Sequence, residues 1–137
     1  MDQTFTDPPQ LSLIRRYFQA IEHDADEPEL AAFFASDVRQ REFPNRLVDK
    51  GAERDLPLLL AGNRRGREVV RDQRYEIRSA IAAGDRVAVE LTWTGTLKVP
   101  LAGTPAGGML KAHCGVFFRV LGGRIAEQHN YDCFEPL

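Results

Sequence analysis

The stretch LKAHCGVFFRV (110–120), LGGR (121–124), IAEQHNYDC (125–133) decides the fold. Both flanks alternate apolar and polar residues with the period of a strand. Gly122-Gly123 between them accepts positive φ at both central positions of a tight turn, so the segment reads as a β-hairpin. Counting outward from a two-residue turn pairs Val120 with Ile125, Phe118 with Glu127, Val116 with His129 and Cys114 with Tyr131. On the other face Phe117 meets Gln128, Gly115 meets Asn130, and His113 lies across from Asp132. Opposed side chains on a sheet sit about 5 Å apart at Cβ, within reach of a carboxylate–imidazole hydrogen bond. A three-residue loop is the competing reading. It slides the partner by one, opposes Arg119 to Glu127, and carries His113 to the face of His129 and Tyr131.

Working back along the chain, Val69 onward has the same period of two. Tyr75, Ile77, Ser79 and Ile81 alternate with charged residues, and Val87, Val89, Leu91 and Trp93 do so after Ala83-Gly84-Asp85. Pairing Ile81 with Val87 across a three-residue loop sets Ile77 opposite Leu91 and Tyr75 opposite Trp93, one continuous apolar face. Residues 98–108 hold two prolines and three glycines and read as a loop.

The first half has the other period. Asp7-Pro8 can cap and open a helix whose stripe Ile14, Tyr17, Phe18 and Ile21 runs to about His23. Asp26 with Pro28 starts a shorter helix carrying Leu30, Phe33 and Phe34. Asp37 to Phe43 reads as a strand closed by Pro44. A third helix begins near Gly51 or Asp55 and stops around Gly62. Helices first and then an antiparallel meander is an α+β pattern in which the helices cover one sheet face.

Composition bounds the rest. The 137 residues contain no repeat or linker and suit one domain, 1–137, with its core at about 11–132. A net charge of −2 offers no electrostatic reason to expect nucleic acid or an anionic membrane as partner. No apolar run approaches the ~20 residues of a membrane span. The polar start MDQTFTDPPQ lacks the pattern of a signal peptide, so a cytoplasmic protein is expected. Cys114 and Cys133 fall nearly diagonal on one face and are expected as free thiols; they form no metal spacing, and no cofactor is expected. The basic run Arg64, Arg65, Arg67, Arg71 and Arg74 reads as a solvated helix end and strand edge.

Groups able to move protons gather in the terminal hairpin. Asp132 as base and His113 as its partner or acid form one reading; a structural hydrogen bond between them is the other. Trp93, Tyr75, Phe117 and Gln128 are candidate wall residues. Asn130 is a candidate donor to an enolate oxygen. Tyr131 is a further donor, although the two-residue register turns it away from Asp132. Glu42 is a candidate second acid, with Arg41 beside it.

Helices followed by a meander, with Gly84-Asp85-Arg86-Val87-Ala88-Val89 and then Gly123-Arg124-Ile125-Ala126-Glu127, resemble the nuclear transport factor 2-like superfamily, in particular its SnoaL-like branch. The resemblance covers about Leu11 to Asp132. It implies a cone-shaped α+β barrel, in which a strongly curved antiparallel sheet wraps the N-terminal helices around an apolar pocket. It also implies a homodimer formed through the outer sheet face. Activities in that superfamily include polyketide cyclisation, ketosteroid isomerisation and dehydration, carried out without a metal by an Asp or His in the pocket. Many SnoaL-like sequences read Glu-His-Trp-Asp in the last strand. Here Gln128, His129 and Asn130 follow Glu127, so asparagine stands in place of the carboxylate and Asp132 takes over two residues on. The expected function is binding of a small apolar carbonyl compound, with cofactor-free proton transfer as the chemistry. A non-catalytic ligand-binding or dimeric interaction module is the alternative.

Overall fold

The computed structural model describes residues 7–136. Helix α1, Pro9–Glu22, buries Leu11, Leu13, Ile14, Tyr17, Phe18, Ala20 and Ile21 along one stripe. Asp7 does not cap it. Pro8 occupies the cap position with φ −54°, and Asp7 instead accepts a hydrogen bond from Arg15 Nε at 2.6 Å. Two successive prolines delay the first helical residue by one and leave the carboxylate outside the turn it was expected to close. Helix α2, Glu27–Ala31, is capped as expected, Asp26 accepting from the Glu29 amide. It is shorter than its sequence suggests, because Phe34 already opens strand β1, Phe34–Glu42. Strand β2, Ala52–Arg54, has no signal in the sequence beyond three residues following Gly51. Helix α3, Leu56–Val69, is capped by Asp55 and continues through Gly62 and Gly66 to the next strand. Each glycine costs about 1 kcal/mol in a helix, which Arg64, Arg65 and Arg67, all good helix formers, offset in part.

Strands β3 (Val70–Ala83), β4 (Arg86–Leu97), β5 (Met109–Leu121) and β6 (Arg124–Phe134) form the meander. The six strands make one curved, unclosed sheet in the order β2-β1-β6-β5-β4-β3. All neighbours are antiparallel except β1 and β6, which run parallel. The inner face closes on α1 through a core that includes Ile14, Phe18, Phe118, Leu91 and Ile125. None of the described helices is long and apolar enough to cross a membrane.

Two bulges correct the sequence-derived registers. Gly84-Asp85 forms a two-residue turn, so Ala82, not Ile81, pairs with Val87. An extra residue at Arg78 then restores Ile77 to Leu91 and Tyr75 to Trp93 as expected, but it turns Ile81 outward, where it is 67% exposed. In the terminal hairpin the Gly122-Gly123 turn is the expected one, with φ of 58° and 73°. Past Val120 and Ile125, however, Ala126 is inserted as a bulge and Arg119 pairs with Glu127. The physical reason is legible in the partners. An unbulged strand places Glu127 beside Phe118 on the inner face, a carboxylate in the core. The bulge sends Glu127 outward to Arg119, which also donates to Asp85 Oδ2 at 2.9 Å. Phe118 receives Gln128 instead. A bulge of this kind re-aims every residue that follows it.

A Cβ at Gly122 or Gly123 meets nothing within 4 Å. Alanine at either position therefore loses only backbone conformational energy. Gly123→Ala is expected to lower stability by about 1–2 kcal/mol, read as a shift in the urea midpoint at unchanged slope.

Candidate functional site

The concave side of the sheet, α1, α3 and the loop carrying Leu47 and Val48 line a half-open cavity of about 560 Å³. That volume is within the usual range for small-molecule sites. Its walls are mostly apolar and aromatic. Phe18 and Tyr75 stack with centroids 4.7 Å apart, and the Trp93 indole meets Phe134 edge-on at 6.1 Å. Trp93 Nε1 donates to Gln73 Oε1 at 3.1 Å, which fixes the indole. Gly95 makes room for that ring, since a Cβ there lies 2.9 Å from it.

Three of the polar groups come from one strand, β6. After the Ala126 bulge, Gln128, Asn130 and Asp132 all point inward and line the cavity. Asp132 pairs with Cys114, not with His113. Burial in the apolar wall pushes its carboxyl above the usual range; the Cys114 thiol, hydrogen-bonded to it, opposes the rise, and the Glu42 charge adds to it. Burial and the Asp132 charge push the Cys114 thiol up in turn, so it stays protonated and serves as a donor. Glu42 also lines the cavity, but Arg54 Nη1 holds it at 2.8 Å and Asn45 Nδ2 donates to it at 2.8 Å. Tyr17 is pushed up to about 12 by burial, with a hydrogen bond from Gln128 acting against the rise. Tyr75 is raised well above its ordinary value by burial first, then by the charges of its neighbours, Asp132 among them. Both phenols are therefore donors at neutral pH.

The expected His113–Asp132 pair does not exist in this fold. The bulge sets His113 opposite Cys133 on the outer face, where its Nε2 lies 3.0 Å from Glu135 Oε1. That contact holds the Glu135 carboxyl below its usual range. Phe117 and Tyr131 are likewise outward and 51% and 44% exposed, so neither lines the cavity. Tyr131 stacks on Phe43 at 4.3 Å. Cys114 is buried and Cys133 exposed, on opposite faces of the sheet rather than the same one. Trp93, Tyr75, Gln128, Asn130 and Asp132 do line the cavity. Tyr17 and Gln73 were not singled out in the sequence. Tyr17 belongs to the apolar stripe of α1, and only its hydroxyl distinguishes it. Of the basic run, Arg64 pairs with Glu27 and Arg67 donates to the Ala25 carbonyl, while Arg65 reaches the cavity wall.

A curved sheet closed over N-terminal helices, with a polar last strand facing an apolar cavity, defines the NTF2-like class of α+β pocket proteins. Residues 14–128 match the SnoaL-like domain family, and the chain belongs to it. No curated protein matches it. Solved structures of similar fold include IdmH from Streptomyces antibioticus, provisionally described as a polyketide cyclase, at 21% identity and a TM-score of 0.75 over 90% of this chain and 91% of that one. AclR from Streptomyces galilaeus, provisionally described as a hydroxylase, is 18% identical with a TM-score of 0.74, covering 90% of this chain and 74% of that chain. A SnoaL-like protein from Jannaschia sp. CCS1, also provisionally a polyketide cyclase, is 18% identical with a TM-score of 0.73, over 96% and 90% of the two chains. At such identities the likeness speaks for the fold.

Proposed function

We propose that this protein binds a small, largely apolar carbonyl compound and moves a proton on it without a cofactor, with Asp132 as the base. The observation that carries this reading is a carboxyl group placed in a mostly apolar cavity and raised by burial. A base so desolvated is poised nearer neutral pH than an ordinary aspartate. Asp132 takes a proton from the carbon beside the carbonyl. The electron pair moves to the carbonyl oxygen, and Asn130 Nδ2 or the Tyr75 hydroxyl donates to the resulting enolate. Return of the proton to another carbon is isomerisation. Attack of the enolate carbon on a second carbonyl is aldol-type cyclisation, and loss of a β-hydroxyl is dehydration.

The expected result with 2-tetralone in deuterium oxide is exchange of its α hydrogens faster than in buffer alone, followed by proton NMR. The rate should rise with pH as Asp132 ionises. Tetralone that binds without enhanced exchange would sink the catalytic reading and leave the ligand-binding one. That alternative has one observation in its favour: with His113 outside, no imidazole accompanies Asp132. Our reading also keeps the protein cytoplasmic, where its two free thiols persist, and homodimeric, with Ile81, Phe117 and Tyr131 as the surface a second copy covers.

A further inference from the structure

The cavity wall holds two acids and one cation, and they do not pair with each other. Both oxygens of Glu42 are taken, Oε1 by Arg54 Nη1 and Oε2 by Asn45 Nδ2, each at 2.8 Å. Asp132 is bonded to the Cys114 thiol in the apolar wall. The cation is Arg65 of α3, the one lysine, arginine or histidine among the residues that line the cavity. It is exposed as well as lining, so it stands at the opening rather than in the interior. Its neighbours Arg64, Arg67 and Arg71 are matched by Glu27, the Ala25 carbonyl and Asp72. Among the described residues Arg65 has no ion pair, no side-chain hydrogen bond and no aromatic ring against it. Other positive charge is close by. A Cβ at Gly62 lies 3.5 Å from Arg54 Nε and 3.9 Å from Arg65 Nη2, so both guanidinium groups converge on one turn of α3. Glu42 is the carboxylate beside them, and it is already engaged, which leaves one positive charge at the opening without a counter-charge.

We infer that the compound bound in this cavity carries a carboxylate, which Arg65 holds at the opening while the rest of the molecule lies among the rings inside. A guanidinium offers parallel N–H donors to a planar carboxylate, and one free cation calls for one negative charge. The same charges fix which end enters. Asp132 and Glu42 repel an anion from the interior, whereas Phe18, Tyr75, Trp93 and Phe134 receive an uncharged ring portion. A carbonyl on the inner end then lies toward Asp132 and the carboxylate on the outer end toward solvent. The substrate class is thus a ring compound with a carboxylate remote from its reacting carbonyl. This deepens the proposed function; it rests on reading the cavity as a ligand site, and not on turnover.

Two probes of nearly equal shape and different charge test it: 2-naphthoate and the neutral 2-naphthamide, titrated by calorimetry at pH 7 and low salt. Wild-type protein is expected to bind the naphthoate about five- to tenfold more tightly, as a charge-assisted hydrogen bond allows. That preference should shrink in about 0.5 M salt, because solvent reaches the pair. Arg65→Gln should reduce it to about twofold or less. Arg64→Gln removes the same charge one residue away, from a side chain already paired with Glu27, and should leave the preference as in wild type. Both positions are exposed on a helix, and glutamine is a good helix former, so both variants should fold. Equal affinities in wild type, failure of both probes to bind, a preference that survives Arg65→Gln, or one lost equally in Arg64→Gln would overturn the inference. Exchange of 2-tetralone, which has no carboxylate, reads the catalytic proposal alone, so either result can fail while the other stands.

Discussion

Asp132→Asn is expected to cut α-hydrogen exchange by about 10²–10⁴-fold, the usual contribution of a positioned general base, while the protein becomes more stable at neutral pH. The second half of that expectation separates a working residue from a structural one. In the folded state the Asp132 carboxyl is raised, chiefly by burial. Between its unfolded value and its raised folded value, the native protein holds more protons than the unfolded chain, so stability falls as pH rises. Below the unfolded value both states are protonated and the penalty is absent. Above the folded value it is fully present. Asparagine keeps the shape and an oxygen for the Cys114 thiol but carries no charge to desolvate. The melting temperature of Asp132→Asn should therefore exceed that of wild type at pH 7, with the gap closing as pH falls toward the ordinary carboxylate range. A melting temperature that drops at pH 7 would mean the carboxylate is a structural partner. Exchange that continues at the wild-type rate would mean the base is another group.

The same residue shows how far the sequence could be read. Element types and the turn at Gly122-Gly123 follow from local chemistry: period, capping residues and positive φ are all short-range signals. The cavity's polar strand was legible in part for the same reason. Residues two apart share a face, so Gln128, Asn130 and Asp132 stay together whatever the register. What they face is a non-local matter. It depends on Ala126, an alanine with no chemical mark of a bulge, and on whether Arg119 meets Glu127 across the hairpin and Asp85 at the tip of the neighbouring one. The Arg119–Glu127 opposition was visible in the competing register. A bulge after a two-residue turn reaches it without the longer loop, and parts His113 and Phe117 from the face of Asp132; Tyr131, its neighbour in the strand, faces away from it in either register.

Phe117 and Phe118 turn that register into a measurement, since they are adjacent and chemically identical. Phe118 is 2% exposed, packs its ring edge-on against Tyr17 at 6.3 Å and Phe18 at 6.0 Å, and sits opposite Gln128. Phe118→Ala removes the whole ring of a large buried side chain from the core between α1 and the sheet. It is expected to cost about 3–5 kcal/mol, or roughly 10–20 °C in melting temperature for a chain of this size. Phe117→Ala should cost under about 0.5 kcal/mol in the isolated protomer, as for most surface substitutions. The unbulged pairing that keeps Asp132 in the cavity reverses the order, because it places Phe117 and His113 on that same inward face. A contact between two copies through the outer face does not confuse the comparison. Any loss from Phe117→Ala would then grow with protein concentration, through mass action on the dimer, whereas the loss from Phe118→Ala arises within one protomer's core. Two melting curves at each of two concentrations thus decide which face of β5 looks inward, and with it whether Asp132 shares a chamber with Cys114 or with His113.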